Sequence, residues 1–409
     1  MTHMKILFIH QNFPGQFGHI ASALSETGHE VVGLGIQNRK VSGIHVVNYS
    51  VDAPSRISEV NAVRDFEVKV ARGLACAAAM ADLKNSGFTP DVVVAHPGWG
   101  ECLFCKEIWP DVRLLVLAEF FYGTKGTDFG FDAEFPDTEP QARMRLRLKN
   151  SVLLHAFHAA DGGYAPTRWQ HSQIPLEYRD RFSVAFDGID THLAAPNPRA
   201  RLKLARDEVS LHSGDEVLTF VNRNLEPYRG FHVMMRALPE ILRQRPRAHA
   251  LIIGGDEVSY GSKPSEGGTW RSRMLAEVGT KLPLDRVHFL GRIAYRDYLR
   301  VLQVSACHVY LTYPFVLSWS CVEALSVGCA VVASKTAPVE EVIEHRRNGL
   351  LVDFFDGGQL AESVCEVLAN PADFRRMRAD ARRGAVESFD LKTVCLPRLT
   401  QLVLERPRI

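Results

Sequence analysis

The chain has 409 residues, 46% hydrophobic and 23% charged, with 48 Lys and Arg against 47 Asp and Glu. A formal net charge of +1 argues against a nucleic-acid binder, which carries a clear basic excess or stripe, so nucleic acid is not an expected partner. The length suits two or three domains, each large enough to bury its own core.

No apolar stretch approaches the roughly 20 residues needed to span a bilayer. The start, MTHMKILFIHQNF, lacks the cationic region, long apolar stretch and small-residue cleavage site of a signal peptide. A cytoplasmic location is therefore expected. The eight cysteines are scattered; Cys102 and Cys105 form a C-x-x-C with no second pair at zinc-ribbon spacing. Buried reduced thiols are expected, with no bound metal.

In chain order, short β-rich runs alternate with longer helical ones, the signature of parallel sheets with crossover helices. Strands are predicted at Ile6–His10, Glu30–Leu34, His45–Asn48, Val92–Ala95, Leu114–Ala118 and Gly162–Ala165. Helices are predicted at Ile20–Thr27, Glu59–Asn85, Gly100–Ile108 and Pro140–Ala159. The rhythm then restarts, with strands at Val217–Asn222, Ala250–Ile253, Val287–Leu290, His308–Leu311 and Ala330–Ala333. Its helices are predicted at Gly230–Arg245, Thr269–Val278, Tyr295–Val304, Cys321–Val327 and Gln359–Ala369.

The turn-rich, proline-containing Val184–Arg199 is the expected linker. The fold class is α/β: two Rossmann-like doubly wound domains, 1–188 and 189–385, with a C-terminal helix in 386–409 returning to the first. Ligands are expected in a cleft at the carboxyl ends of the two sheets.

Several strand ends carry residues suited to chemistry. HQNFPGQFGHIA puts Gly15 and Gly18 before a helix, either as a tight turn or as a cradle of backbone N–H groups for phosphate. It is not a dinucleotide fingerprint, because G-x-x-G lacks the required G-x-G-x-x-G. DVVVAHPGWGE places His96 directly after a strand, where it would bind a hydroxyl or relay a proton. FVNRNLEPYRG carries Arg223 and Arg229 around one loop, and two guanidiniums there suit a diphosphate; Glu226 would orient one of them. Gly255 and Gly291 follow further strands and would let a ligand approach the backbone. Glu323, a single carboxylate in the apolar run YPFVLSWSCVEALSVGC, is expected in the first turn of a helix. It would either complement the helix terminus or accept two ribose hydroxyls.

Taken in order, FVNRNLEPYRG, LIIGGDE, FLGRI, VEALSVGCAVVAS and PVEEVIEHRRNGLLV resemble a family 4 retaining glycosyltransferase of the GT-B fold. HQNFPGQFGHIA, DVVVAHPGWGE and LAEFFYG resemble a bacterial subgroup tied to polysaccharide or glycoconjugate assembly. The resemblance implies that Arg223 and Arg229 grip the donor diphosphate and that Glu323, second of the family's glutamate pair, holds the ribose. It places His96 near the reacting sugar and the acceptor, and Glu119 is expected on the acceptor side. Gly291, Arg292 and Ile293 would meet the nucleobase, and Gly15 and Gly18 correspond to the N-terminal glycine loop, without its usual doublet.

Two departures stand out. Phe315 occupies the place of the first glutamate, eight residues before Glu323, which hints at a less polar donor sugar. Val316–Leu317–Ser318 replaces a glycine-rich stretch, leaving Ser318, Trp319 and Ser320 as hydrogen-bond donors.

The resemblance implies retaining transfer of a sugar from a nucleoside diphosphate-sugar to an acceptor hydroxyl, saccharide, lipid-linked or small-molecule. The nucleotide-sugar is a co-substrate; no cofactor and no metal are expected, the arginines carrying the phosphate charge. The residues leave UDP, GDP, ADP and TDP open. A sugar-nucleotide epimerase would need a cluster of carboxylates that the sequence does not show. The other alternative is a nucleotide-sugar-binding scaffold with a degenerate site. Arg143, Arg145, Arg147 and Lys149 in QARMRLRLKN form either a solvated face or a peripheral membrane contact with anionic lipid.

Overall fold

The computed structural model describes residues 3–37, 39–51, 61–136, 139–204 and 209–405. The chain divides into two compact units, Met1–Gly188 with Lys392–Ile409, and Ile189–Leu391.

The first unit is built on seven strands: β1 (Lys5–Ile9), β2 (Glu30–Gly35), β3 (His45–Asn48), β4 (Val92–Ala95), β5 (Arg113–Leu117), β6 (Gly162–Ala165) and β7 (Phe182–Val184). They pair in the order β3-β2-β1-β4-β5-β6-β7, and every pairing is parallel. Unbroken apolar runs such as VVVA and LLVL suit strands that are covered on both faces. Alternation then sorts the side chains. Leu7, Ile9, Val93 and Ala95 join one cluster; Ile6, Phe8, Val92 and Val94 join another.

Helices α1 (Gly18–Glu26) and α2 (Asn61–Asn85) cover these faces through Ile20, Ala21 and Leu24, and through Cys76, Met80 and Leu83. Shorter helices follow: α3 (Cys105–Ile108), α4 (Pro140–Lys149), α5 (Ser151–Ala159), α6 (Arg168–Ser172) and α7 (Leu176–Arg179).

The second unit opens with the antiparallel pair β8 (Arg201–Leu204) and β9 (Val209–His212). Its sheet contains β10 (Val217–Asn224), β11 (His249–Gly255), β12 (Val287–Gly291), β13 (Cys307–Tyr310), β14 (Ala330–Ser334) and β15 (Leu350–Val352). The order is β12-β11-β10-β13-β14-β15, again parallel throughout. The helices are α8 (Phe231–Gln244), α9 (Trp270–Val278), α10 (Tyr295–Val304), α11 (Trp319–Val327), α12 (Ala337–Glu340), α13 (Gly357–Ala369) and α14 (Arg375–Phe389). The chain then rejoins the first unit as α15 (Leu396–Leu404), whose Leu399 and Val403 pack with α1. Arg113 ties it down by donating to the carbonyls of Leu402 (2.9 Å) and Val403 (2.8 Å).

The predicted strands are present with ends shifted by a residue or two, and both units are doubly wound α/β sheets. Three elements differ. The helix expected over Pro140–Ala159 is two, α4 and α5, because Asn150 turns inward. Its side chain accepts from the Tyr122 N–H (3.1 Å) and donates to the Tyr122 carbonyl (2.7 Å). The helix expected at Gly100–Ile108 is only α3, since Gly100 takes a left-handed φ of 97° and stops a 3-10 turn over Pro97–Trp99. The helix expected from Cys321 starts at Trp319. The predicted start of α2 at Glu59 lies outside the described residues. Beyond the predictions, β7, β8, β9, β15, α6, α7, α12 and α14 are additional.

All eight cysteines are buried free thiols. Among the described residues, no helix is long and apolar enough to cross a membrane.

Gly163 marks the tightest point of the first sheet. A Cβ there would stand 2.1 Å from the Val116 carbonyl oxygen and 2.6 Å from the Phe182 ring. We predict that Gly163→Ala lowers stability by about 3 kcal/mol in urea unfolding. Gly384→Ala, within α14 with nothing inside 4 Å of its Cβ, should instead raise stability by about 0.5–1 kcal/mol.

Candidate functional site

In an open parallel sheet, ligands gather where successive crossovers leave in opposite directions. In the first unit that point lies between β1 and β4. The residues that follow these strands are His10 and His96, with their rings 5.4 Å apart. Both histidines are buried.

The hydrogen bonds settle their tautomers. Nδ1 of His10 accepts from the Asn12 N–H (3.0 Å), and Nδ1 of His96 accepts from the Gly98 N–H (3.1 Å). Each ring therefore carries its proton on Nε2. His10 donates it to Gln16 Oε1 (2.7 Å), and His96 donates it to Glu119 Oε2 (3.2 Å). Gln16 Nε2 closes the chain by donating to Glu119 Oε1 (2.9 Å). Trp99 stacks on His96 at 4.2 Å between centroids.

Burial, aided by the neighbouring His96, lowers the His10 pKa to about 4. Burial alone would raise the Glu119 carboxyl, but the His96 contact, reinforced by His10 and Gln16, holds it below its ordinary value. The result is an ionised carboxylate held by the His96 and Gln16 N–H groups, suited to orienting a hydroxyl.

Gly15 belongs to this network. Its φ is 49°, and a Cβ would lie 2.4 Å from the His10 ring. The close approach it permits is to that ring. Gly18 begins α1 with an ordinary helical φ of −54°.

In the second unit the reversal falls between β10 and β13. A pocket of about 240 Å³ opens there, lined by Val221, Asn222, Arg223, Asn224, Glu226, Arg229, Tyr260, Tyr298, Ser318, Ser320 and Glu323. Arg223 is exposed at the end of β10. Arg229 is buried and held by its NH1 group, which donates to Thr312 Oγ1 (2.7 Å) and the Val316 carbonyl (2.9 Å). Burial opposes its charge, but Tyr310, Tyr260 and Glu226 more than offset that and keep it cationic.

The Glu226 carboxylate is fully buried and accepts from the backbone N–H groups of Ser259 (3.0 Å), Tyr260 (3.2 Å) and Gly261 (2.9 Å). It organises that loop, where direct orientation of an arginine was expected. Tyr260 is thereby set 5.2 Å from the Arg229 guanidinium.

Glu323 lies in the second turn of α11, one turn later than expected, because Ser318 caps the helix by accepting from the Ser320 N–H (3.3 Å). Its carboxylate accepts from the hydroxyls of Tyr295 (2.8 Å) and Tyr298 (2.6 Å). The Ser318 N–H donates to the Tyr310 hydroxyl (2.9 Å).

Thus Arg223, Arg229, Ser318, Ser320 and Glu323 converge on one pocket. Gly255, Gly291, Arg292, Ile293 and Trp319 do not line it. Gly255 lacks a Cβ because Asn224 Oδ1 and Arg292 Nε would stand 2.6 and 2.7 Å from it. Arg292 reaches the pocket's edge by donating to Asn224 (2.9 Å). Phe315 is buried and does not line the pocket; it packs against Tyr228 and Tyr260, and the Arg229 guanidinium lies over its ring. The sequence reading missed His10, Gln16, Asn224, Tyr260, Tyr295 and Tyr298. Among the described residues, no group of three or more His, Cys, Asp or Glu is placed to hold a metal ion.

Residues 27–194 match the family model of the glycosyl transferase family 4 group, and residues 203–384 that of glycosyl transferases group 1. A D-inositol 3-phosphate glycosyltransferase of Nocardioides sp. is 26% identical over 62% of this chain and 55% of that protein. Spore coat protein SA of Bacillus subtilis is 26% identical over 53% of this chain and 57% of its own. The chain spans about half the length of the curated relatives it matches. Among solved structures, sucrose-phosphate synthase from Thermosynechococcus elongatus superposes with a TM-score of 0.73 at 16% identity, covering 98% of both chains. Anabaena HepE in complex with UDP and glucose gives 0.70 at 17% identity, covering 98% of this chain and 100% of that one. These two share the fold.

His10 makes stability pH-dependent. Below pH 6.5 the unfolded chain takes up a proton that the folded chain refuses until about pH 4. Stability from this residue is therefore complete above pH 6.5 and falls by roughly 2.5 kcal/mol by pH 4.5. His308, buried in the second unit and lowered to about 3 by burial, adds to the same slope. Urea unfolding from pH 7.5 to 4.5 should show the decline, and His10→Gln should remove its share. An identical slope in that variant would refute the buried neutral state.

Proposed function

The chain belongs to the family 4 glycosyltransferases of the GT-B fold, and we propose that it transfers a sugar from a nucleoside diphosphate donor to an acceptor hydroxyl, retaining the anomeric configuration. The observation that carries this reading is the second-unit pocket, where Arg223 and Arg229 meet Glu323. Cations suit a diphosphate, and a buried carboxylate suits the neighbouring hydroxyls of a ribose. The pairing of opposite charges in one small pocket fits a nucleotide better than it fits a simple anion.

Departure of the nucleotide builds negative charge on the diphosphate. Arg229 is held in advance by Thr312 and Val316, so its charge is already oriented when that happens, which is how preorganised groups lower a barrier. Arg223, exposed at the strand end, supplies the second cation. In the first unit, Glu119 and His96 would bind a hydroxyl of the acceptor or of the transferred sugar. The acceptor's proton would pass to a phosphate oxygen of the leaving group.

The neighbour solved with UDP and glucose supports UDP-sugars as the first donors to try. A role in bacterial polysaccharide or glycoconjugate assembly is part of this reading. Peripheral contact of the α4 arginines with an anionic membrane belongs with it when the acceptor is lipid-linked.

The test is nucleotide release from UDP-, GDP-, ADP- and TDP-sugars, with simple saccharide and lipid acceptors. One donor should turn over, and Arg223→Ala should slow it by about 100-fold, the loss typical of one preorganised donor group. Because Arg223 is exposed, that variant should keep its fold. Binding of a nucleotide-sugar without turnover, whatever the acceptor, would replace this reading with a binding scaffold.

A further inference from the structure

We propose that Tyr295 and Tyr298 are positioning residues that hold the Glu323 carboxylate ionised and aimed at the ribose diol of the bound nucleotide. The proposal rests on the reading of Glu323 as the diol acceptor and adds how a buried carboxylate is made fit for that task.

Tyr295 and Tyr298 stand three residues apart on α10, so both project from one face. They divide the carboxylate between them. The Tyr295 hydroxyl donates to Oε1 at 2.8 Å and the Tyr298 hydroxyl to Oε2 at 2.6 Å. An ionised carboxylate has about four acceptor positions. One donor on each oxygen fixes the plane of the group and leaves each oxygen one position for a neighbouring hydroxyl. Tyr298 is buried and lines the pocket beside Glu323, whereas Tyr295 is 49% exposed.

Glu323 needs such help because of where it sits. It is 6% exposed in the second turn of α11, beyond the unpaired N–H groups of the helix start. Burial raises its pKa, and the Tyr298 and Tyr295 hydrogen bonds pull the other way. Protonation would turn one oxygen from acceptor to donor and spoil it for a diol.

The other titratable or charged groups around the pocket are Arg223, Glu226, Arg229 and Tyr260, with Arg292 at its edge. Asp190 acts on Tyr295, and Cys329 acts on Tyr298. Neither adds a cation beside Glu323, which leaves the two phenols as its named donors.

Removing one phenol should therefore weaken nucleotide binding in a way that depends on pH and on the 2′-hydroxyl. The probes are UDP, GDP and ADP, titrated calorimetrically into the full chain; the tightest is then compared with its 2′-deoxy counterpart at pH 6, 7 and 8. Tyr298→Phe should weaken the ribonucleotide roughly tenfold at pH 8, the size of one lost hydrogen bond to a charged group. The loss should grow toward pH 6, as the less supported carboxyl takes up its proton. The 2′-deoxy compound should lose little, so discrimination between the two falls. Tyr295→Phe, at the exposed edge, should act in the same direction and provides a second variant if Tyr298→Phe folds poorly.

Glu323→Gln separates the two levels of the argument. If it keeps wild-type discrimination, or if none of the three nucleotides binds the wild type, the diol reading fails and the proposal with it. If it abolishes discrimination while both tyrosine variants bind like wild type at every pH, the tyrosine assignment alone is wrong. Equal, pH-independent weakening of both nucleotides in the tyrosine variants would mark a packing role and also overturn it.

Discussion

A parallel strand can join its neighbour only through a crossover, and the order of crossovers decides where a sheet leaves its carboxyl edge open. In each unit the chain works outward from a central strand, returns, and works outward on the other side. The first sheet runs from β1 to β3 and resumes at β4; the second runs from β10 to β12 and resumes at β13. Crossovers of one hand that start in opposite directions must cover opposite faces. The edge between β1 and β4, and that between β10 and β13, is therefore left uncovered. His10 and His96 occupy the first gap, and the pocket bounded by Arg223 and Arg229 occupies the second.

What fills those gaps is constrained by the difficulty of burying charge. A guanidinium does not shed its proton in a protein, so Arg229 at 5% exposure needs partners from every side. Thr312 and Val316 supply acceptors, Tyr260 and Phe315 supply ring faces, and Glu226 supplies opposite charge. Glu226 in turn gathers three backbone N–H groups, and this fixes the loop that carries Tyr260. The dependence runs from carboxylate to loop, from loop to ring, and from ring to cation. The first unit solves the same problem with a linear chain, His10 to Gln16 to Glu119 to His96. In both places the polar groups are oriented by the protein itself, which is the condition for electrostatic catalysis without reorganisation.

The sequence is most legible where a single local pattern decides the outcome. Runs such as DVVVAH, HALIIGG and AVVAS announce buried parallel strands, and the residues that follow them announce the sites. Hence His96, Arg223 and Arg229 could be singled out from position alone. Legibility fails where the deciding contact comes from far along the chain. The Pro140–Ala159 pattern reads as one helix because the reason it breaks, Asn150 reaching back to Tyr122, is 28 residues away. The three-residue strands β7 and β15 carry too little pattern to register. Tyr295 and Tyr298 register only as members of a predicted helix; their meeting with Glu323, 28 and 25 residues on, gives them a role. A signal was present: two phenols three residues apart, on a helix otherwise well supplied with aliphatic residues, need acceptors.

Phe315 shows how one departure propagates. Read against the family pattern, its ring stands in the place of a carboxylate and suggests a less polar sugar. In the structure the ring does not line the pocket; it lies edge-on to Tyr228 at 5.4 Å and to Tyr260 at 4.9 Å, with the Arg229 guanidinium 5.7 Å away. Its direct effect is thus on Arg229 and Tyr260. A carboxylate at this place would pair with Arg229 and draw its charge inward, whereas an aromatic face attracts the cation without neutralising it. Arg229 is left with its charge available to the pocket, which Tyr260, on the loop gathered by Glu226, also lines. The absent glutamate therefore bears first on the charge and packing around Arg229 and Tyr260.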